Sequence, residues 1–208
     1  MTGPGAGRGA RQRVGGRARR REVVAAGFWV AVLVLGGIGW WWYARTHAAP
    51  APAPSARPAA PPPDAQQVRV RYPLDGDSIA VTATPGPVVD AAGEVQLRLL
   101  GVDAPELHGA DGRPQCWADG AQARLRQLAP PGGSLWILPD TQRRDPYDRY
   151  LVYAWTADGT FVNADLAERG DVRELAIPPN LAHRRELHDA VERARAQRHG
   201  LWGVCVGR

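Results

Sequence analysis

The 208-residue chain contains no lysine; all 26 of its basic residues are arginine. It has one methionine, two phenylalanines and two cysteines. Two cysteines are too few for a disulfide-built scaffold or a Cys-rich zinc module, and His108, His183, His188 and His199, four of the five histidines, show no ligand spacing with them. These histidines are therefore read as solvated. No Asp-x-Asp-x-Asp-Gly loop of the EF-hand type occurs. Only one long uncharged run is present, which argues against a membrane protein with several spans. What is present, 44% hydrophobic and 23% charged residues, is close to a globular average and excludes a wholly disordered chain.

The net charge of +5 points naively to nucleic acid or an acidic surface, but it is unevenly placed. Residues 1–22 hold seven arginines against Glu22. Residues 65–208 hold 17 arginines against 19 acids, so the part able to fold is slightly acidic.

Three segments precede that part. Residues 1–22, rich in Gly and Arg, lack apolar groups to offset chain entropy and are expected to be a disordered cytoplasmic tail. Val23 to Ala44 is a run without charge, VVAAGFWVAVLVLGGIGWWWYA. As a helix it spans roughly 33 Å, against a bilayer core of about 30 Å. Trp40, Trp41, Trp42 and Tyr43 sit at one end like an interfacial aromatic belt, and the arginines ahead of the run place the N-terminus inside. The expectation is a single-pass membrane anchor with an extracytoplasmic domain; secretion after signal cleavage is the alternative. Residues 45–65, with seven prolines between 50 and 63, read as an extended linker.

The remaining residues, 66–208, read as one β-rich α+β domain. Val68, Val70 and Tyr72 alternate with arginines as in a half-buried strand. Further strands are expected at Ser78–Thr84, Val95–Val102, Ser134–Leu138 and Leu151–Trp155, and helices at Ala118–Leu128, Val162–Arg169 and Leu181–Arg198. The last carries Leu187, Val191 and Ala194 on one face. Five short strands interleaved with three helices fit a small closed barrel such as the OB-fold, and not a doubly wound sheet.

Three motifs at strand ends carry chemistry: DGDS at 75–78, RLLGVDAPE at 98–106 and DPYDR at 145–149. Each alone has a plain explanation. Asp75-Gly76-Asp77 could be a turn in which Asp bonds its own backbone and Gly takes positive φ. Together, in this order and followed by GLW at 200–202, they resemble the staphylococcal nuclease (thermonuclease) family over about residues 66–203. The segment DGTFVNADLAERG at 158–170 also looks like that family's turn and helix.

The resemblance implies an OB-fold barrel and Ca²⁺-dependent endonucleolytic hydrolysis of DNA and RNA phosphodiesters. It implies that Asp77, Asp103 and the Ala104 carbonyl hold the metal, a set of hard oxygen donors suited to Ca²⁺. It implies that Glu106 polarises the attacking water and that Arg98 and Arg149 grip the scissile phosphate. Tyr147 matches a tyrosine near the substrate phosphate; core packing is the other reading. A monomeric catalytic domain is expected. Four departures stand out. Leu175 and Ile177 replace aromatic residues beside the bound nucleotide, Pro146 replaces a basic position, and Asp148 replaces a glycine. Asp148 is expected to draw Arg149 into an ion pair. The alternative function, suggested by Leu175, Ile177 and the domain's acidity, is a non-catalytic OB-type module binding nucleic acid or another anionic polymer.

With the domain outside the membrane, Cys116 and Cys205 are expected to form a disulfide tying the loop after Glu106 to the C-terminal tail. Closing so long a loop contributes about 4–5 kcal/mol in the chain-entropy model.

Overall fold

A computed structural model describes residues 60–205. The tail 1–22, the apolar run 23–44 and most of the linker 45–65 lie outside the described residues. Among the described residues no helix is long and apolar enough to cross a membrane.

Among the described residues, seven strands and four helices follow one another. They are β1 (Gln66–Pro73), β2 (Ser78–Ala83), β3 (Gly93–Leu99), β4 (Gly101–Asp103), α1 (Ala118–Leu128), β5 (Ser134–Leu138), β6 (Tyr150–Trp155), α2 (Val162–Glu168), β7 (Arg173–Leu175), α3 (Arg184–Ala196) and α4 (Leu201–Val204). Five of the strands close into a barrel in the order β1-β2-β3-β6-β5, with β5 returning to β1. All neighbours are antiparallel except β3 and β6. The expected five-stranded barrel is present. The three expected helices are joined by the four-residue α4, and β4 and β7 pair outside the barrel as a small antiparallel sheet.

Strand alternation fills the barrel. Val68, Val70, Ile79, Val81, Leu97, Leu99, Leu135, Ile137 and Val152 are buried in one apolar cluster, with Leu125, Leu166, Leu187 and Val191 packing from the helices. Two polar side chains inside this framework have every reason to be there. Asn163, fully buried, accepts the Ala154 N–H and donates to the Leu100 carbonyl, fixing α2 to the turn after β3. Gln66 accepts the N–H groups of Val88 and Val89 and donates to the Thr84 carbonyl, closing the β2–β3 connection. Each satisfies backbone groups that would otherwise be buried without partners.

Four sequence expectations need correction. Tyr72 does not continue the inward alternation of Val68 and Val70; it is 44% exposed. A register shift between Val70 and Tyr72 inserts a bulge, so Pro73 turns inward instead. The strand expected at Val95–Val102 is broken after Leu99. Gly101 has φ +77°, and a Cβ there would meet Leu187 Cδ1 at 2.4 Å. The last long helix starts at Arg184, three residues late. His183, read as solvated, lies half-buried with its ring 4.5 Å from Tyr153 and 4.8 Å from Phe161, beside Trp155. His188 and His199 are exposed as expected, as is His108.

Cys116 and Cys205 form the expected disulfide, with Cα atoms 5.8 Å apart and a separation of 89 positions in sequence.

Candidate active site

The site begins with the turn between β1 and β2. The Asp75 carboxylate accepts the Asp77 N–H at 2.9 Å, the local bond expected of an Asp-Gly-Asp turn. Gly76 is required for a different reason from the one expected. Its φ is not positive; a Cβ there would lie 2.6 Å from the Cβ atoms of both Ala104 and Ala121. Glycine lets the turn press against β4's exit and α1, and so brings Asp77 to Ala104.

Asp77 is only 4% exposed. Its Oδ2 accepts the Ala104 N–H at 2.6 Å, and its Oδ1 accepts the Ser78 hydroxyl at 3.1 Å. Burial pushes its carboxyl up to about 7, against the downward pull of Arg98. Arg98, near the end of β3, reaches Asp77 Oδ2 at 3.1 Å and Asp103 Oδ1 at 3.2 Å with the same nitrogen, Nη2. Its Nη1 donates to the Leu99 and Val102 carbonyls at 2.7 and 2.8 Å. Four donor interactions therefore hold this fork, and two of them staple the break between β3 and β4.

Arg149 arrives from the other side. It precedes β6, and the parallel register of β3 and β6 sets Leu97 beside Tyr150 and Arg98 beside Leu151. Its Nε donates to Asp145 at 2.6 Å, and its Nη1 lies 3.5 Å from the Ser78 hydroxyl. Asp145 also accepts the N–H groups of Tyr147 and Arg149, each at 2.9 Å. Burial alone would raise the Asp145 carboxyl, but these bonds from Arg149 hold it below its ordinary range. The expected diversion of Arg149 by Asp148 does not occur. Asp148, in the left-handed region at φ 66°, turns to Arg144 instead. The ion-pair partner of Arg149 is Asp145.

A chain of contacts thus runs Arg149–Ser78–Asp77–Arg98–Asp103, with Ala104 bonded to Asp77. Glu106 is not part of it. It stands in the exposed loop after β4, and among the described residues its carboxylate has no hydrogen-bond partner. Tyr147 is 81% exposed, which overturns core packing; its ring centre lies 5.6 Å from the Arg149 guanidinium. Leu175 and Ile177, 38% and 59% exposed, line a cleft of about 210 Å³ together with Arg98, Asp145, Pro146 and Arg149.

Two carboxylates converging on one guanidinium nitrogen mark a place where positive charge is held between hard oxygens. No cluster of three metal-binding side chains occurs among the described residues. Asp77 and Asp103 are hard oxygen donors, the chemistry that a hard cation takes, and both face Arg98 Nη2.

Two arginines set among the carboxylates of Asp77, Asp103 and Asp145 beside a closed barrel are the kinds of group that handle a phosphodiester and its counter-ion. The comparisons with known proteins agree. A family model described as staphylococcal nuclease homologue matches residues 96–204, just over half of the chain. The thermonuclease of Staphylococcus intermedius is 28% identical over 134 residues, 64% of this chain and 74% of that protein. The thermonuclease of Staphylococcus hyicus is 28% identical over 139 residues, covering 66% and 76%. Endonuclease YhcR of Bacillus subtilis (strain 168) is 27% identical over 136 residues, 62% of this chain but 11% of that protein. The chain belongs to the staphylococcal nuclease homologue family and is a phosphodiester-hydrolysing nuclease.

Sequence reasoning missed Ser78 and Asp145 as working parts of the site. Both lay inside the quoted motifs, but nothing in one sequence says which polar residue of a motif orients another.

Proposed function

We propose that the chain is a membrane-tethered, extracytoplasmic endonuclease that uses Ca²⁺ to hydrolyse DNA and RNA. The observation that carries the catalytic part is that two guanidiniums meet at the DGDS turn: Arg98 pairs with the buried Asp77, and Arg149, held by Asp145, lies 3.5 Å from the hydroxyl of the neighbouring Ser78. In this reading Asp77, Asp103 and the Ala104 carbonyl hold the ion. When bound, the ion screens the negative charge that grows on the phosphate. Arg149 presents its Nη groups to the phosphate, and a planar fork suits two phosphate oxygens at once. Glu106 takes the proton from the attacking water; its freedom from competing hydrogen bonds leaves both oxygens available. Tyr147 stacks over Arg149 at the mouth and contacts the substrate phosphate. Leu175 and Ile177 offer a flanking base an apolar wall and no hydrogen bond.

The full chain in detergent is expected to cut single-stranded DNA and RNA with Ca²⁺ and to stop with EGTA. Undiminished cleavage in EGTA would refute the metal assignment. The membrane part is supported by the uncharged run 23–44 and the arginines ahead of it. Alkaline carbonate should leave the protein in the membrane pellet; recovery in the supernatant would remove the anchor.

A further inference from the structure

We propose that Gln115 is a positioning residue for Glu106, and that the Cys116–Cys205 disulfide holds Gln115 in place. The proposal rests on Glu106 being the general base. Its carboxylate has no partner among the described residues, so its place is set by its backbone. That backbone is clamped twice by one residue. The Glu106 N–H donates to the Gln115 side-chain Oε1 at 2.9 Å, and the Gln115 N–H donates to the Glu106 carbonyl at 2.8 Å.

The segment between them is a closed surface loop. The Gly109 N–H donates to the Arg113 carbonyl, and the Gly112 N–H to the Gly109 carbonyl. These bonds shape the loop but do not attach it to the barrel. Attachment comes from the residues just after Gln115. Cys116 is bonded covalently to Cys205 at the end of α4. Trp117, at φ 73°, donates its indole N–H to the buried Asp171 at 2.8 Å. The Ala118 N–H returns to the Gln115 carbonyl at 3.0 Å as α1 begins. Glu106 is therefore tied on one side to Asp103 of β4 and on the other, through Gln115, to a bridge that pins the C-terminal helix. A general base displaced by an ångström loses much of its effect, because proton transfer needs hydrogen-bond reach in the reacting geometry.

The test uses the full chain in detergent. Gln115→Met keeps the side-chain length and removes the acceptor. It should lower kcat about five- to thirty-fold, with KM within about two-fold and an unchanged melting temperature, as loss of one orienting hydrogen bond predicts. In a Glu106→Gln background the same change should have no further effect on kcat. The bridge is tested with dithiothreitol: two electrons and two protons pass to the sulfurs, the Sγ–Sγ bond breaks to two thiols, and the reagent closes to its own disulfide. Measured below the melting midpoint of the reduced protein, kcat should fall comparably, and the Glu106→Gln enzyme should be insensitive to the reagent. An unchanged kcat in Gln115→Met overturns the proposal. So does an equal fall in the Glu106→Gln background, which would make the loss merely structural. If Glu106→Gln itself turns over like wild type, the general-base reading fails and the proposal with it. If Glu106→Gln is impaired while Gln115→Met is not, only the positioning is lost.

Discussion

Arg98→Lys should damage the fold as well as the reaction, and the two losses can be measured apart. The guanidinium donates through Nη1 to the Leu99 and Val102 carbonyls and reaches Asp77 and Asp103 through Nη2. A lysine ammonium is one point on a flexible stem and cannot serve both the carbonyl pair and the carboxylate pair. The ammonium will stay with Asp77, because a buried carboxylate without a cation is the costlier outcome. Two backbone carbonyls at the β3–β4 break are then left without their donor. At roughly 1–1.5 kcal/mol each, the loss is about 2–3 kcal/mol. For a domain of this size that lowers the melting temperature by about 5–10 °C. Turnover should fall about 10²–10³-fold, the cost of removing one preorganised donor from a developing charge. Calorimetry on the full chain without divalent metal isolates the fold term, and initial rates with saturating substrate isolate the other. A melting shift under 2 °C would refute the view that Arg98 staples the strand break.

Arg149→Lys should separate from Arg98→Lys: a comparable loss of turnover with stability within about 1 kcal/mol, since Arg149 has one firm partner, Asp145, and no backbone carbonyl. A melting shift as large as that of Arg98→Lys would contradict this. Asp145→Asn should destabilise by about 1–3 kcal/mol at pH 7. The folded carboxyl of Asp145 lies below its unfolded value, so this contribution is present above about pH 4 and is lost as pH falls through the folded value. The gap between the two melting curves should therefore narrow below pH 4; an equal gap at pH 3 and pH 7 would refute it. Ile177→Tyr should restore a stacking surface on the cleft and lower KM for single-stranded DNA about five-fold or more, with kcat little changed; an unaltered KM would show that no base passes that wall.

The barrel was legible because inward positions at period two are hard to imitate: Val68, Val70, Ile79, Val81 and Leu97 mark strands whatever surrounds them. β7 was not legible. Three residues, Arg173, Glu174 and Leu175, carry no period, and they are extended only because β4 lies beside them. Tyr72 was misplaced because a bulge changes the parity of a strand without changing its composition. The Gly76 requirement was tertiary: it depends on Ala104 and Ala121, distant in sequence. At the site, Asp77, Arg98, Asp103 and Arg149 were reached through the family resemblance that the order of the motifs carries, and the structure sets them near one another. Their partners could not be reached that way. Whether Asp145 or Asp148 takes Arg149 is decided by the left-handed backbone of Asp148, which points that carboxylate to Arg144. His183 looked solvated because its aromatic neighbours come from β6 and the turn after it.

The single parallel pairing in the barrel, between β3 and β6, has a consequence in time. Arg98 and Arg149 come to the same end of the barrel only when that pairing forms, and Ser78, which Arg149 approaches, lies 71 residues earlier in the chain. Pairings this distant form late, because the entropy of the intervening loop must be lost before any contact rewards it. A chain still emerging carries both guanidiniums and every carboxylate but not their assembled arrangement. Nuclease competence should therefore appear abruptly with barrel closure, leaving the incomplete protein harmless to the nucleic acid around it.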